Sequence, residues 1–324
     1  YYMFNDLMSG ERMSVYADVM GGNLTFTPSN TGSNVGQISI PGNIENVYEF
    51  HDEAEESDFA SVYDEAYEIV NAANIIIERL PELEATTEQK NQIKAEALCI
   101  RAYSHYILAL LYAQNYSYTS DASHLGIVYN KETLQVGVDY PSRISAKETY
   151  NNIINSVQEA IELFSGTNAM DGPDYSYFNK YNAKALLARV ALQANNWQLA
   201  LDNATDVIQN SGISLMSRNE YPNQWKEPNA PVSEILLELP IRLTSDGDVA
   251  YSSAKHFGYL SDTEYAQYTA SGDLLDLFSE NDIRGDSMFI NVYLETLEEE
   301  VLVEKPYYFT HKFQDNPGVP VIRL

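Results

Sequence analysis

The sequence predicts a mainly α-helical protein: a tetratricopeptide-like helical repeat lobe over residues 1–211 and a loop-rich second lobe with minor β over 212–324. Three observations predict it. Apolar residues recur at three- and four-residue steps through 57–115 and 145–210, the period of one helix face. Alanine falls at 183, 185, 188, 191, 200 and 204, where a small side chain lets helices approach closely. Beyond Gly212 the period stops, and Pro222, Pro228, Pro231 and Pro240 punctuate the chain.

Residues 1–9 read as a helix with Phe4, Leu7 and Met8 on one side, and 21–51 as irregular chain rich in Gly, Asn and Ser. Ser57 is placed to cap a helix carrying Val62, Ala66, Ile69/Val70, Ala73 and Ile76/Ile77, which stops at Leu80-Pro81. A second helix starts near Thr87, with Ile93, Ala97, Ile100, Ser104, Ile107, Leu108 and Leu111 on its inner face. Cys99 lies within it and reads as a buried small hydrophobe; as the only cysteine it forms no internal disulfide. Ser145 and Glu148 form a capping box for a helix over 145–164. Residues 182–192 form the next helix, Asn195-Asn196 breaks it, and another runs from Trp197 to about Asn210. Trp197, Leu199, Ala200 and Ala204 match the opening of the tetratricopeptide pattern loosely, with an ordinary helical bundle as the alternative. Further on, strand candidates cover 234–241, 288–294 and 299–304, with a brief helix at 274–280.

Charge narrows the function. The 324 residues hold 19 Lys+Arg against 47 Asp+Glu, a formal net charge of −28. Duplex nucleic acid is excluded as a partner, because that affinity rests on cations neutralising phosphates. The same balance disfavours docking on an anionic bilayer through a basic face. No apolar run reaches the 18 or so residues of a spanning helix. The chain opens on Tyr1-Tyr2-Met3-Phe4 and closes on Val321-Ile322-Arg323-Leu324, so both ends read as cuts and location is not legible from a leader.

Enzyme signals are poor. No phosphate-binding glycine loop, nucleophile elbow or His-Glu-x-x-His helix occurs. The histidines at 51, 105, 124, 256 and 311 are scattered singly, so no metal or cofactor site is expected. Glu53, Glu55, Glu56 and Asp58 read as a solvated helix start, Glu298-Glu299-Glu300 as a solvated run. Asp171-Gly172-Pro173-Asp174 and Asp246-Gly247-Asp248 read as turns, lacking calcium-loop spacing. The glycosylation triplets at Asn23, Asn115 and Asn203 read as coincidence. What stands out is tyrosine: 25, against 2 Trp and 11 Phe, many in loop regions. Aromatic faces pack on the C–H faces of pyranose rings, and a tyrosine adds a polar tip that also suits peptides.

A set of motifs then fixes a resemblance. Asp18-Val19-Met20-Gly21-Gly22-Asn23 is followed by Tyr67-Glu68-Ile69-Val70-Asn71-Ala72-Ala73-Asn74 and by Lys94 to Tyr103 (KAEALCIRAY). Ala183 to Val190 (AKALLARV), Trp197-Gln198-Leu199-Ala200, Asp282-Ile283-Arg284, Lys312-Phe313 and Val319 to Leu324 (VPVIRL) complete it. In order and spacing the chain resembles the SusD/RagB family, surface lipoproteins of Bacteroidetes that capture nutrients for a TonB-dependent outer-membrane transporter. The resemblance implies a non-catalytic glycan-binding protein at the cell surface of the outer membrane. It also implies a SusC-like TonB-dependent transporter as partner, and membrane attachment only through a lipid anchor that this chain does not include. It further implies a continuation past Leu324, so that the second lobe is truncated here. Peptide binding within the same family is the alternative, and a glycoside hydrolase or a pure repeat scaffold the readings from other classes.

The family motifs read as scaffold, including Glu96 and Arg101, so no binding residue transfers by motif. The ligand surface is expected on aromatics of two separated segments: Tyr48 and Phe50, then Tyr221, Trp225, Tyr259 and Tyr265. Asn46, His51, Asn223 and Gln224 lie near enough to bond hydroxyls or amides.

Overall fold

The long helices begin where a side chain holds the first free amides. Thr86 and Gln89 exchange side-chain and backbone hydrogen bonds (3.2 and 3.0 Å), as do Ser145 and Glu148 (3.1 and 3.1 Å) and Asn179 and Asn182 (3.1 and 2.7 Å). Such a cap contributes about 1 kcal/mol. In the computed structural model they open α5 (Thr87–Tyr112), α6 (Ala146–Leu163) and α7 (Lys180–Gln193). The structure describes residues 1–9, 11–135, 137–165, 174–224, 233–240, 257–310 and 321–323. Trp225, the Asp246–Asp248 turn, residues 171–173 and Lys312-Phe313 lie outside the described residues.

In chain order the preceding helices are α1 (Tyr2–Ser9), α2 (Glu11–Met20), α3 (Glu45–Tyr48) and α4 (Ala60–Arg79). The stack closes with α8 (Trp197–Asn210). Neighbours in sequence pack together: α4 on α5, α5 on α6, α6 on α7 and α7 on α8. Helix α1 lies on α4 and supplies Phe4, Leu7 and Met8 to the main core, Phe4 meeting Tyr103 edge-on at 5.3 Å. Every residue from Ala95 to Ala109 is buried, because α5 has helices on both sides. Cys99 is among them, and burial pushes its thiol pKa well up.

Several sequence expectations are corrected. Ser57 does not cap α4. Its hydroxyl accepts from the Phe59 amide and donates to Asp52, closing a turn before the helix begins at Ala60. Leu111 and Ile76 are exposed, whereas Tyr112 and Ile77 beside them pack against the core. Ala183, Ala191 and Ala200 are buried, but Ala185, Ala188 and Ala204 are half-exposed. Trp197, the packing aromatic of the loose repeat match, is exposed. Asn195 breaks the helix by adopting φ 57°, and Asn196 caps α8 by accepting from Leu199 (3.4 Å).

A strap, residues 128–134, crosses α4, α5 and α6 and consumes the polar family motifs. Tyr67 donates to the Val128 carbonyl (2.8 Å), and the Asn130 amide donates to His105 Nε2 (3.2 Å). Arg101 donates to the Lys131 carbonyl (3.2 Å) and to Asn74 Oδ1 (2.7 Å), and Asn74 Nδ2 donates to the Glu132 carbonyl (2.9 Å). Asn71 and Glu78 accept from the amides of Leu134 and Thr133. Tyr129 stacks on His105 at 4.0 Å and shares a hydrogen bond with Ser156. An irregular segment laid on helices turns part of its backbone away from water, and these side chains satisfy those groups.

The strands are short and pair two by two among the described residues, all antiparallel. They are β1 (Leu24–Phe26) with β5 (Tyr268–Ala270), β2 (Glu238–Pro240) with β8 (Val321–Arg323), β3 (Tyr259–Ser261) with β4 (Glu264–Tyr265), and β6 (Phe289–Glu298) with β7 (Val301–Thr310). The strand expected over 234–241 shrinks to three residues. Those expected at 288–294 and 299–304 are one ten-residue-stranded hairpin, turning at Glu299-Glu300 with φ 46° and 69°. Its tip rests on Gly36: the Leu297 amide donates to the Gly36 carbonyl at 2.8 Å, and a Cβ there would meet Leu302 at 2.5 Å. The remaining helices are α9 (Tyr221–Gln224), α10 (Gly272–Asp276) and α11 (Ile283–Ser287).

Candidate functional site

Helix α3 is one turn long and is held from beneath. Ile44 and Val47 are buried, the Val47 amide donates to Asp58 (3.0 Å), and the Tyr16 hydroxyl donates to the Asn43 carbonyl. At its end the Phe50 amide reaches the Val47 carbonyl (3.3 Å) and the His51 amide the Asn46 carbonyl (2.8 Å). This closure puts Phe50 at φ 57°, where glycine or asparagine is usual. A non-glycine residue there costs about 1–2 kcal/mol. The strain turns the side chain outward: Phe50 is 71% exposed and its neighbour Tyr48 42%.

Tyr48 closes α3 rather than lying in irregular chain, and it packs edge-on against Phe26 (5.0 Å). Phe26 lies in β1 and meets Tyr268 of β5 (5.9 Å). The Tyr265 hydroxyl donates to the Pro28 carbonyl (2.9 Å), and Asn30 Nδ2 donates to the Thr263 carbonyl (2.7 Å). Residues 24–30 therefore join the segment of Tyr48 and Phe50 to that of Tyr259 and Tyr265. Those two tyrosines are half-buried on β3 and β4, their rings 5.5 and 5.9 Å from the buried Phe309. Tyr259 also donates to Asp262, which raises its hydroxyl pKa.

The other expected contacts are placed differently. Tyr221 is on α9, half-buried and in electrostatic contact with Arg284, which pairs with Asp282 (2.6 Å). Asn46 spends an amide hydrogen on the Glu56 carbonyl (3.0 Å), leaving less to offer a ligand. His51 is open, with Nδ1 3.4 Å from Glu49, and Asn223 is exposed.

The surroundings are acidic. Glu45, Glu49, Asp52, Glu53, Glu55 and Glu56 are all exposed near α3. Asp58, read as part of the solvated run, is instead half-buried and structural, as is the bonding of Asp52 to Ser57 and the Asp58 amide. Such a field repels anions. Among the described residues no group of three His, Cys, Asp or Glu could hold a metal ion, and no helix is long and apolar enough to cross a membrane. Sequence reasoning missed Phe26, Tyr268 and Phe309 as the base of this region. Phe26 pairs with Tyr268 across more than 200 positions and Phe309 meets Tyr259 and Tyr265 from a distant strand, contacts that periodicity does not report.

Comparison with known proteins places this geometry. No curated protein matches the chain. Among solved structures it is similar to a SusD superfamily protein from Bacteroides thetaiotaomicron, with 23% identity and TM-score 0.79 over 99% of this chain and 71% of that one. It is also similar to a putative sugar binding protein from Bacteroides vulgatus, with 22% identity and TM-score 0.74 over 98% and 68%. A laminarin binding SusD-like protein shares 17% identity with TM-score 0.73 over 100% and 76%. These likenesses show a shared fold. A family model described as starch-binding associating with outer membrane matches residues 6–192, more than half of the 324. The chain belongs to that family, the SusD-like proteins, which bind rather than catalyse.

Proposed function

We propose that this protein captures oligosaccharides at the bacterial cell surface, held there by a lipid anchor, and delivers them to a SusC-like TonB-dependent transporter. The observation that carries the reading is Phe50, an aromatic ring held outward at a strained backbone position beside the half-open Tyr48. Strain of this kind persists where surrounding structure enforces it, and it points to use. Family membership and the ligand named for the laminarin-binding neighbour support a sugar over other occupants.

In this reading Tyr48 and Phe50 offer ring faces to pyranose C–H groups, and His51 bonds a hydroxyl. Tyr259, Tyr265, Tyr221 and Trp225 furnish the rest of the surface from the loop-rich lobe over 212–324. Tyr259 and Tyr265, braced on Phe309, contribute ring edges and hydroxyls more than open faces. The acidic rim favours neutral glycans and disfavours uronic-acid or sulfated ones.

The test is a glycan array followed by calorimetry on the ligand found. Phe50→Ala and Tyr48→Ala should each weaken binding about thirtyfold, near 2 kcal/mol, with the melting midpoint unchanged and no reducing ends released. Binding of peptides but not glycans would transfer the surface to the peptide-binding alternative. Full affinity in both variants would place the site elsewhere.

A further inference from the structure

We infer that the protein carries a second carbohydrate platform on its helical stack, built from Tyr118 and Trp197. It rests on the carbohydrate reading above but uses none of the same residues. After α5 the chain makes a tight turn in which the Tyr118 amide donates to the Asn115 carbonyl (2.8 Å) and the Ser117 amide to Asn115 Oδ1 (2.9 Å). The Tyr118 ring rests edge-on against His124 (5.4 Å), whose Nδ1 shares a hydrogen bond with Thr119 (2.9 Å). One edge is thus fixed while the residue remains 66% exposed.

The turn between α7 and α8 lies alongside. Asn195, at φ 57°, donates from Nδ2 to the Ser117 hydroxyl at 2.8 Å. Trp197 is two residues further on, the first of α8, and is 62% exposed. Helical side chains lean toward the N-terminus of their helix, so this indole leans toward the junction with Ser117 and Tyr118. Two open aromatics on separate, rigidly turned elements, bordered by the exposed amides of Gln114 and Asn196, make a surface for a pyranose unit. No charged residue lies at either turn between 113 and 118 or between 193 and 198, which suits the neutral glycan proposed for the first site.

The competing occupant is protein, because Leu201 and Ile208 continue an apolar stripe along α8. Tyr118 belongs to a different element and is unexplained by that stripe. The net charge of −28 also opposes close approach of a second copy. Ile208 is about 16 Å along the axis from Trp197, so the two occupants separate by mutation.

Calorimetry with a short oligosaccharide of the glycan found on the array should give two sites per chain in the wild type. Trp197→Ala and Tyr118→Ala should each leave one site, with melting midpoint unchanged, and Phe50→Ala should leave the other. On a native gel containing the long polysaccharide, losing either site should reduce retardation at least tenfold, because one polymer engages both. Ile208→Ser should change nothing. A single wild-type site abolished by Phe50→Ala would overturn the second platform and leave the first standing. Loss of binding in Ile208→Ser, or a change of oligomeric state in Trp197→Ala, would assign this face to protein and overturn the proposal. No glycan bound at all would overturn both readings together.

Discussion

The strap-bound helical stack and the β-rich region around Phe26 and Phe309 use the same kinds of residue in opposite ways. In the stack, polar side chains turn inward: Asn74, Arg101 and His105 are buried and spend their hydrogen bonds on residues 130–132. Near α3 the polar and acidic groups stay in solvent, and an aromatic ring is held out instead. The backbone follows suit. Among the described residues of the stack, positive φ at non-glycine residues is confined to the turns, at Ala122 and Asn195, whereas near α3 it falls on Phe50, whose ring stands in solvent. The difference separates residues kept for folding from residues placed for contact, and it says which substitutions should harm stability and which should harm binding.

The sharpest way to break this contrast is Arg101→Met. It leaves the buried Asn74 Oδ1 and the part-buried Lys131 carbonyl without their donor. Hydrogen bonds to a charged group are worth about 1.5–3 kcal/mol each, so a loss of about 3 kcal/mol is expected in urea unfolding. Phe50→Ala should stay within about 0.5 kcal/mol. Equal effects would erase the distinction between the two regions.

Helix packing sharpens it next. Ala183→Leu overfills a fully buried contact and should cost about 2 kcal/mol. Ala188→Leu, half-exposed in this fold, should cost less than about 1 kcal/mol. The two melting midpoints, measured side by side, check the order.

The fold was legible where local signals are strong, and the surface was not. Ser145 and Glu148 announce their helix in four residues, and Phe4, Leu7 and Met8 announce α1. Among the described residues, helix α2 buries only Val15, Tyr16 and Val19, a stripe too short to stand out by its period. The hairpin turn carries Glu-Glu where glycine or asparagine would mark it. Exposure is harder still: Tyr268 and Phe50 sit in similarly punctuated chain, yet one is sealed by pairing with β1 and the other stands open. That outcome depends on contacts 200 residues away. Of the expected aromatics, Tyr48 rests on Phe26 and Tyr259 and Tyr265 rest on Phe309, in two separate clusters, while Tyr221 contacts Arg284 and Trp225 lies outside the described residues.

Acid separates the regions by a third route. Burial, with the Arg101 charge beside it, depresses His105 from 6.5 to about 3, so it is neutral in the fold. The unfolded chain binds that proton more readily between those values. Stability contributed by His105 is therefore complete above about pH 6.5 and is lost as pH falls toward 3, by up to about 1.4 kcal/mol per unit. His105→Gln should flatten this part of the pH–stability curve even if it lowers the plateau. An unchanged slope would mean that the ring is protonated in place.

The smallest effect is the most diagnostic, because its two readouts move in opposite directions. Phe50→Gly removes a ring from solvent and relieves a φ of 57° that glycine adopts freely. Almost no packing is lost, since 71% of the residue is exposed. Relief of the left-handed penalty, less the added freedom of glycine in the unfolded chain, should raise stability by about 0.5 kcal/mol. Glycan affinity should fall about thirtyfold, as for Phe50→Ala. A residue kept only for the fold would show the reverse, lower stability with intact binding. Should Phe50→Gly destabilise the protein, the outward ring is part of an internal support, and the strain at this position would no longer argue for a ligand.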